Sequence, residues 1–228
     1  MRAFTIGCCM LCAAWARGQE QHISLGASWL YAPAWDRMVR TFNFARPFLD
    51  ADQPLLQWGV GAGCARFFKG DRRIRSGVAL EYGRFISQAE ATGLESRIRL
   101  HQLRIGYAAR ILPKDRESPW QVEAGAGLFG LHLSRLVNDA PIADEEQRSR
   151  SLGIGADLRV LLGRRIRWGE ARWIVPFISA HVAPYVHQPT AEAVLNQTRG
   201  LVAGDGTFML LAHVGVRLAF GTKPAATP

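Results

Sequence analysis

The chain has 228 residues, 48% of them hydrophobic and 21% charged, with 28 Lys+Arg against 19 Asp+Glu for a formal charge of +9. That length fits one domain or two, and the apolar fraction is too high for a disordered chain. Past the first twenty residues no apolar run approaches the ~18 residues of a spanning helix, so a helical membrane protein is excluded.

The N-terminus, Arg2 followed by the apolar stretch Ala3 to Ala16, has the length of an export signal rather than of a membrane span. Small residues precede two possible cuts, after Ala16 and after Gly18. The second is preferred, giving a signal over 1–18, and losing Arg2 and Arg17 takes the charge from +9 to +7. Cys8, Cys9 and Cys12 leave with the signal. Only Cys64 remains, so no intramolecular disulfide framework exists and the fold must hold itself by hydrogen bonds and packing.

Along the rest of the chain the dominant period is two, the mark of strands with unlike faces. Ile23, Leu25, Ala27 and Trp29 open the series over 23–31. Residues 56–68 alternate Leu56, Trp58, Val60 and Ala62 with Gln57, Gly59, Gly61 and Gly63. Ile74, Val78, Leu80 and Tyr82 oppose Arg75, Gly77, Glu81 and Gly83. In 97–111, Leu103, Ile105, Tyr107 and Ala109 oppose Arg104, Gly106 and Arg110. The earlier Ile98 and Leu100 have the other parity, which predicts a bulge near His101-Gln102.

Trp120, Val122, Ala124, Ala126 and Leu128 oppose Gln121, Glu123, Gly125 and Gly127. The cleanest segment is 152–162, with Leu152, Ile154, Ala156, Leu158, Val160 and Leu162 against Gly153, Gly155, Asp157 and Arg159. Ile178, Ala180 and Val182 oppose Phe177, Ser179 and His181, and Val214, Val216, Leu218 and Phe220 oppose His213, Gly215 and Arg217. Eight strands in one domain over 19–220 follow, with a short tail at 221–228.

Three features place the apolar face outward. Glycine gathers on the polar stripe, where a narrow eight-stranded barrel has room for little else. Charges of both signs share that stripe: Arg75, Glu81, Arg104, Arg110, Glu123, Asp157, Arg159 and Arg217, joined by His213, form a candidate interior polar network that must pair with itself. Aromatic residues lie near the ends of the apolar stripes, at Trp29, Tyr31, Trp58, Tyr82, Tyr107, Trp120 and Phe220, as at the boundary between hydrocarbon and headgroups. Arg66 and Arg84 share the apolar parity but sit near strand ends, where a long side chain reaches the interface. The intervals 32–53, 88–96, 135–147 and 186–207 equal or exceed those between them, an asymmetry a soluble meander does not need.

On these grounds the chain resembles the small eight-stranded outer-membrane β-barrel proteins of Gram-negative bacteria, over nearly its whole mature length. The most specific part is His213-Val-Gly-Val-Arg-Leu-Ala-Phe220, similar to that family's terminal assembly signal, although here the chain continues beyond the aromatic. The resemblance implies an antiparallel up-and-down transmembrane barrel with a plugged polar lumen, in the outer membrane, in contact with lipid, lipopolysaccharide and the barrel-assembly machinery. It implies a structural or surface-interaction role without enzymatic activity or cofactor.

Two other readings stay open. His132, Ser134 and Glu146 supply a base, a nucleophile and an acid, which acyl transfer needs, at a spacing similar to that of an outer-membrane lipid A deacylase, with Arg135 where that family has Asn. A soluble periplasmic lipocalin-like barrel around an apolar ligand would show the same alternation. The other histidines lack metal-ligand spacing, and the arginines are too dispersed for nucleic acid. The intervals 32–53, with Trp35, Phe42, Phe44 and Phe48 among Arg37, Arg40 and Arg46, and 186–207 are where a surface ligand would bind or where a loop would cover the barrel mouth.

Overall fold

The computed structural model describes residues 20–44, 52–68, 74–91, 94–111, 119–139, 147–187 and 208–221. The proposed signal, Glu146 and most of 186–207 lie outside them. Strands β1 (Glu20–Tyr31), β2 (Trp58–Phe67), β3 (Ile74–Ala91), β4 (Leu94–Ile111), β5 (Trp120–Asp139), β6 (Gln147–Arg164), β8 (Arg172–His187) and β9 (Phe208–Phe220) pair antiparallel with their chain neighbours. β1 also pairs β9, from Gln21↔Phe220 to Tyr31↔Leu210, and this closes the sheet into an eight-stranded barrel. A four-residue strand, β7 (Ile166–Gly169), extends the β6–β8 turn.

The alternation has the predicted sense. Leu152, Ile154 and Leu158 are 55, 73 and 68% exposed on the outer wall, whereas Asp157 and Arg159 are 3 and 2% exposed inside. A soluble barrel would carry the opposite pattern, so that reading is overturned. Arg66 and Arg84 both point outward, near opposite ends of the wall.

The predicted bulge near His101-Gln102 is absent. β3 and β4 stay in register without a break from Ile74↔Ile111 to Ala91↔Leu94. What changes along β4 is the polarity of each face. Between Leu103 and Ile111 the outward residues are apolar and the inward ones include Arg104 and Arg110. Above Leu103 the outward residues become His101, Arg99 and Arg97, and the inward ones Leu100 and Ile98, 1 and 3% exposed. A wall in hydrocarbon needs apolar groups outside; a wall in water needs them inside. The parity switch therefore marks where the barrel leaves the membrane.

This projection also accounts for one corrected interval. The separation read as 88–96 is largely strand, since β3 runs to Ala91 and β4 starts at Leu94. The asymmetry between the two ends is thus partly strand length rather than loop length.

A helix that the sequence pattern did not announce covers the projecting end. α1 (Pro33–Phe44) starts with proline, whose missing N–H costs nothing in the first turn, and with Asp36 near the positive end of the helix dipole. The Trp35 and Asp36 amides donate to the Ala32 carbonyl at 3.0 and 2.9 Å. Trp35 and Val39, one turn apart, are buried against Leu30, Leu56, Phe85, Leu100, Leu131, Tyr185, Met209 and Leu211. The Trp35 and Tyr185 rings lie 5.2 Å apart.

Beyond α1 the chain is tied to the wall. Asn43 and Gln53 exchange side-chain-to-backbone hydrogen bonds of 3.0 and 2.9 Å, and the Gln53 side-chain amide donates to Ser87 Oγ at 2.6 Å. Ser87 in turn donates to the Pro54 carbonyl. Desolvation lifts the Asp36 carboxyl above its ordinary range, with Arg40 opposing the shift. Arg37, Arg40 and Phe44 remain exposed on the outer side of α1.

Candidate functional site: the barrel lumen and its outer wall

Below the apolar cap, the lumen is filled by ion pairs from β1, β3, β4, β5, β6, β8 and β9 and from the β6–β7 turn. Glu20 enters from β1 and contacts His22 Nε2 at 2.9 Å, Arg110 at 2.9 Å, Arg75 at 3.2 Å and Arg165 at 3.3 Å. Glu123 on β5 accepts from Arg110 Nε at 3.1 Å and twice from Arg217 Nη1 at 2.8 Å, with Arg159 at 3.8 Å. Glu81 on β3 pairs with Arg159 and, at 3.4 Å, with Arg104. Arg104 Nε donates to both oxygens of Asp157 at 2.8 and 2.7 Å, and His181 Nδ1 lies 3.0 Å from the same carboxylate. His213 meets Ser28 Oγ at 2.6 Å and stacks edge-on with His181 at 4.8 Å.

Arg104, Arg110 and Arg159 each link carboxylates from two other strands, so the network ties the wall together across the lumen. Buried charge requires such pairing, because an unpaired ion in a dry interior is far costlier than a paired one. Aromatic faces take up further cationic surface: Arg110 lies 3.7 Å from the Phe67 ring centre and Arg217 lies 5.3 Å from that of Phe177.

The structure places Arg75, Glu81, Arg104, Arg110, Glu123, Asp157, Arg159, His213 and Arg217 on the inner face. Sequence reasoning missed Glu20, His22, His181 and Arg165 in the same network. The first two lie on the inward parity of β1 with Ser24 and Ser28, a signal that was present; Arg165 sits in a turn, where parity gives none.

Glycines make the room. Gly106 and Gly127 face each other across β4 and β5 beside Arg104, and a Cβ at Gly127 would lie 2.9 Å from Asp157 Oδ1 and 3.0 Å from Arg104 Nη2. Gly127→Val should therefore push the Arg104–Asp157 pair apart and cost about 1–3 kcal/mol as an overpacking change. Urea unfolding in lipid vesicles checks this, and a midpoint equal to the parent's would show that the pair has space to spare.

Among the described residues, a cavity of about 40 Å³ is bordered by Glu81, Arg104, Arg159, Ser179 and His213. That holds a water molecule or two and no substrate. The ion pairs below and the Trp35 cluster above occupy the lumen at two successive levels.

On the outer wall the aromatic residues fall in two groups. Trp29 pairs with Trp58 and stacks on Tyr31 at 6.3 Å near the α1 end, and Tyr82 lies one outward position below Arg84. Trp120 and Phe220 are at the opposite end, joined by Trp168, 59% exposed, which the sequence reading did not select. Tyr107 sits four residues in from Ile111 and its hydroxyl donates to Ser76 Oγ at 2.7 Å.

His132 and Ser134 also face outward on β5, above the apolar band, where His132 stands opposite His101 with rings 6.0 Å apart. Glu146, the third member of the acyl-transfer trio, lies outside the described residues. No group of three or more metal-ligating side chains occurs among the described residues.

A closed antiparallel barrel with an apolar outer belt and a charged, filled lumen defines an integral outer-membrane β-barrel. Solved structures carry the same architecture. Ail, the attachment invasion locus protein of Yersinia pestis, crystallised with the heparin analogue sucrose octasulfate, matches with a TM-score of 0.50 at 13% identity, covering 89% of this chain and 99% of that one. Neisserial surface protein A matches with a TM-score of 0.44 at 12% identity over 90 and 97%. A major outer membrane protein from Thermus thermophilus matches with a TM-score of 0.46 at 12% identity over 88 and 99%. No protein-family model and no curated relative matches the sequence. The chain has the fold of the small eight-stranded outer-membrane barrels.

Proposed function

We propose that this protein is a non-conducting, non-enzymatic barrel that serves the outer membrane through its wall and its exposed end. The observation that carries the reading is the double closure of the lumen, by ion pairs such as Arg104–Asp157 and by the Trp35 cap. A filled lumen leaves the outer surfaces as the places where the protein meets anything else. The belt meets lipid, and the α1 end, with Arg37, Arg40 and Phe44 exposed, suits an anionic surface ligand or lipopolysaccharide. β9, ending at Phe220 and paired on both edges, is the segment we assign to recognition by the assembly machinery. Residues 1–18 are proposed to direct export.

Density fractionation of cell envelopes and heat-shifted gel migration test the location, with the protein expected in the outer-membrane fraction and migrating as a compact species before boiling. In planar bilayers the purified barrel should give no steady conductance. Large, stable openings would contradict the closed lumen.

The acyl-transfer alternative has its own check. His132 and Ser134 do face the lipid side of the wall, which is where such chemistry would need them. Lipid A mass spectra from cells expressing the protein and its Ser134→Ala variant should be identical. Loss of one acyl chain that depends on Ser134 would replace the proposal with an enzyme.

A further inference from the structure

The outer wall of β3, β4 and β5 carries a feature that a passive lipid belt does not require. Directly above the apolar band, one cross-strand rung consists of Arg84, His101 and His132, and the next of Ile86, Arg99 and Ser134. These two rungs hold two guanidinium groups, two imidazoles and no carboxylate. They are mutually close: the His101 and His132 rings lie 6.0 Å apart, Arg84 stands directly across from His101, and Arg99 is the next outward residue of β4. The Tyr82 hydroxyl, 2.5 Å from His101 Nδ1, fixes that ring from below.

Gathering like charges without a counter-ion is unfavourable, and here it is not relieved internally. The Nε atoms of Arg84 and Arg99 are shielded from solvent and have no hydrogen-bond partner among the described residues. Arg159 and Arg217 in the lumen also leave an Nε unpartnered, but each holds a carboxylate through a terminal nitrogen. A shielded guanidinium donor with no acid on its own or the neighbouring rung is a place where an incoming anion gains a charge-assisted hydrogen bond.

Immediately below this cluster the wall is dented. The rung under His101 and His132 is Leu103, Gly130 and Ile154, and a Cβ at Gly130 would have no atom within 4 Å. The dent widens into an open groove of about 1090 Å³ lined by Leu103, Leu128, Gly130, Ile154, Ala156 and Pro184. Pro184 has no N–H, and the β6–β8 ladder is interrupted beside it, between Gly155↔Tyr185 and Leu158↔Val182.

We propose that this face binds one phosphorylated glycolipid of the outer leaflet, its phosphate on Arg84, Arg99 and the two histidines and an acyl chain in the Gly130 groove. Arginine forks match phosphate oxygens in charge and in plane. The depth also matches, because the cationic rungs sit where the outward face changes from apolar to polar, which is the headgroup level. The outer leaflet is the one concerned because this end of the barrel is remote from the Gln21↔Phe220 pair, which lies at the opposite end with the short turns. The proposal rests on the outer-membrane reading and specifies the lipid that reading leaves general.

The test uses the full barrel in phosphatidylcholine nanodiscs doped with bisphosphorylated lipid A, with lipid A stripped of both phosphates, or with phosphatidylglycerol. Native mass spectrometry counts the dopant released with the protein. One bisphosphorylated lipid A per barrel is expected, with retention about tenfold lower for the stripped form, as for loss of a charge-assisted pair. Arg84→Gln/Arg99→Gln should lower retention by a similar factor, and Arg84→Lys/Arg99→Lys should keep most of it. Gly130→Leu, which fills the groove without touching the charges, should lower it severalfold in a barrel whose heat-shifted migration is unchanged. Equal retention of the stripped lipid or of phosphatidylglycerol, or variants that hold lipid A as the parent does, would overturn the site. The measurement needs no cell fractionation, so failure of the location and failure of this site are read separately.

Discussion

Glu123→Leu is expected to destabilise the barrel by about 3–5 kcal/mol, the cost of leaving buried charges without their partner. Glu123 is fully buried and stands between Arg110, Arg217 and Arg159. Leucine is close to glutamate in size, so packing changes little and the loss is electrostatic. Three guanidinium groups would then face one another with Glu20 and Glu81 as their nearest acids. Urea unfolding in lipid vesicles gives the number, with heat-shifted migration reporting whether the variant folds at all. The double variant Glu123→Leu/Arg217→Leu removes one stranded cation together with its acid and should recover a good part of the loss. A single-variant loss below about 1 kcal/mol, within the range of an exposed pair, would mean that the lumen is wetter than its burial indicates.

The closed lumen also explains which parts of the fold were readable from sequence. Period two survives in every strand because lipid and lumen differ sharply in polarity, so Leu152 to Leu162 announces itself. The inner network was legible for the same reason wherever a charge sat on a strand with a clear apolar face, as Asp157 and Arg217 do. Three kinds of information were not. Parity says which way a side chain points but not at what depth, so the inward Leu100 and Ile98 looked like a register fault. Their faces had exchanged solvents, not their register. Nor does a stretch such as Pro33–Phe44 declare its partner: Trp35 and Val39 are apolar at helical spacing, but only the open barrel mouth gives them something to cover. Pairing across strands is likewise absent from a linear pattern, which is why Arg84, His101 and His132 do not read as one cluster until β3, β4 and β5 are laid side by side.

The exchange of faces along β4 makes a second, opposed pair of expectations. Leu158 lies in the outer belt, 68% exposed to lipid, and Leu100 lies in the apolar cap, 1% exposed. Leu100→Ala opens a cavity among Phe85, Leu131 and Leu211 and should cost about 2–5 kcal/mol. Leu158→Ala leaves no cavity, since lipid chains flow into the gap, and should cost less than Leu100→Ala. With arginine the order reverses in kind at the surface. Leu158→Arg puts a cation into hydrocarbon, at about 2–4 kcal/mol near the midplane. Gln88→Arg, also outward but on the projecting part of β3, meets water and should be close to neutral. Urea unfolding of the four variants in vesicles of one lipid composition makes the comparison. If Gln88→Arg were as damaging as Leu158→Arg, the membrane boundary would have to be moved up the barrel, past Arg84 and Arg99. The cationic rungs would then lie in hydrocarbon, where arginines without acceptors could not be sustained.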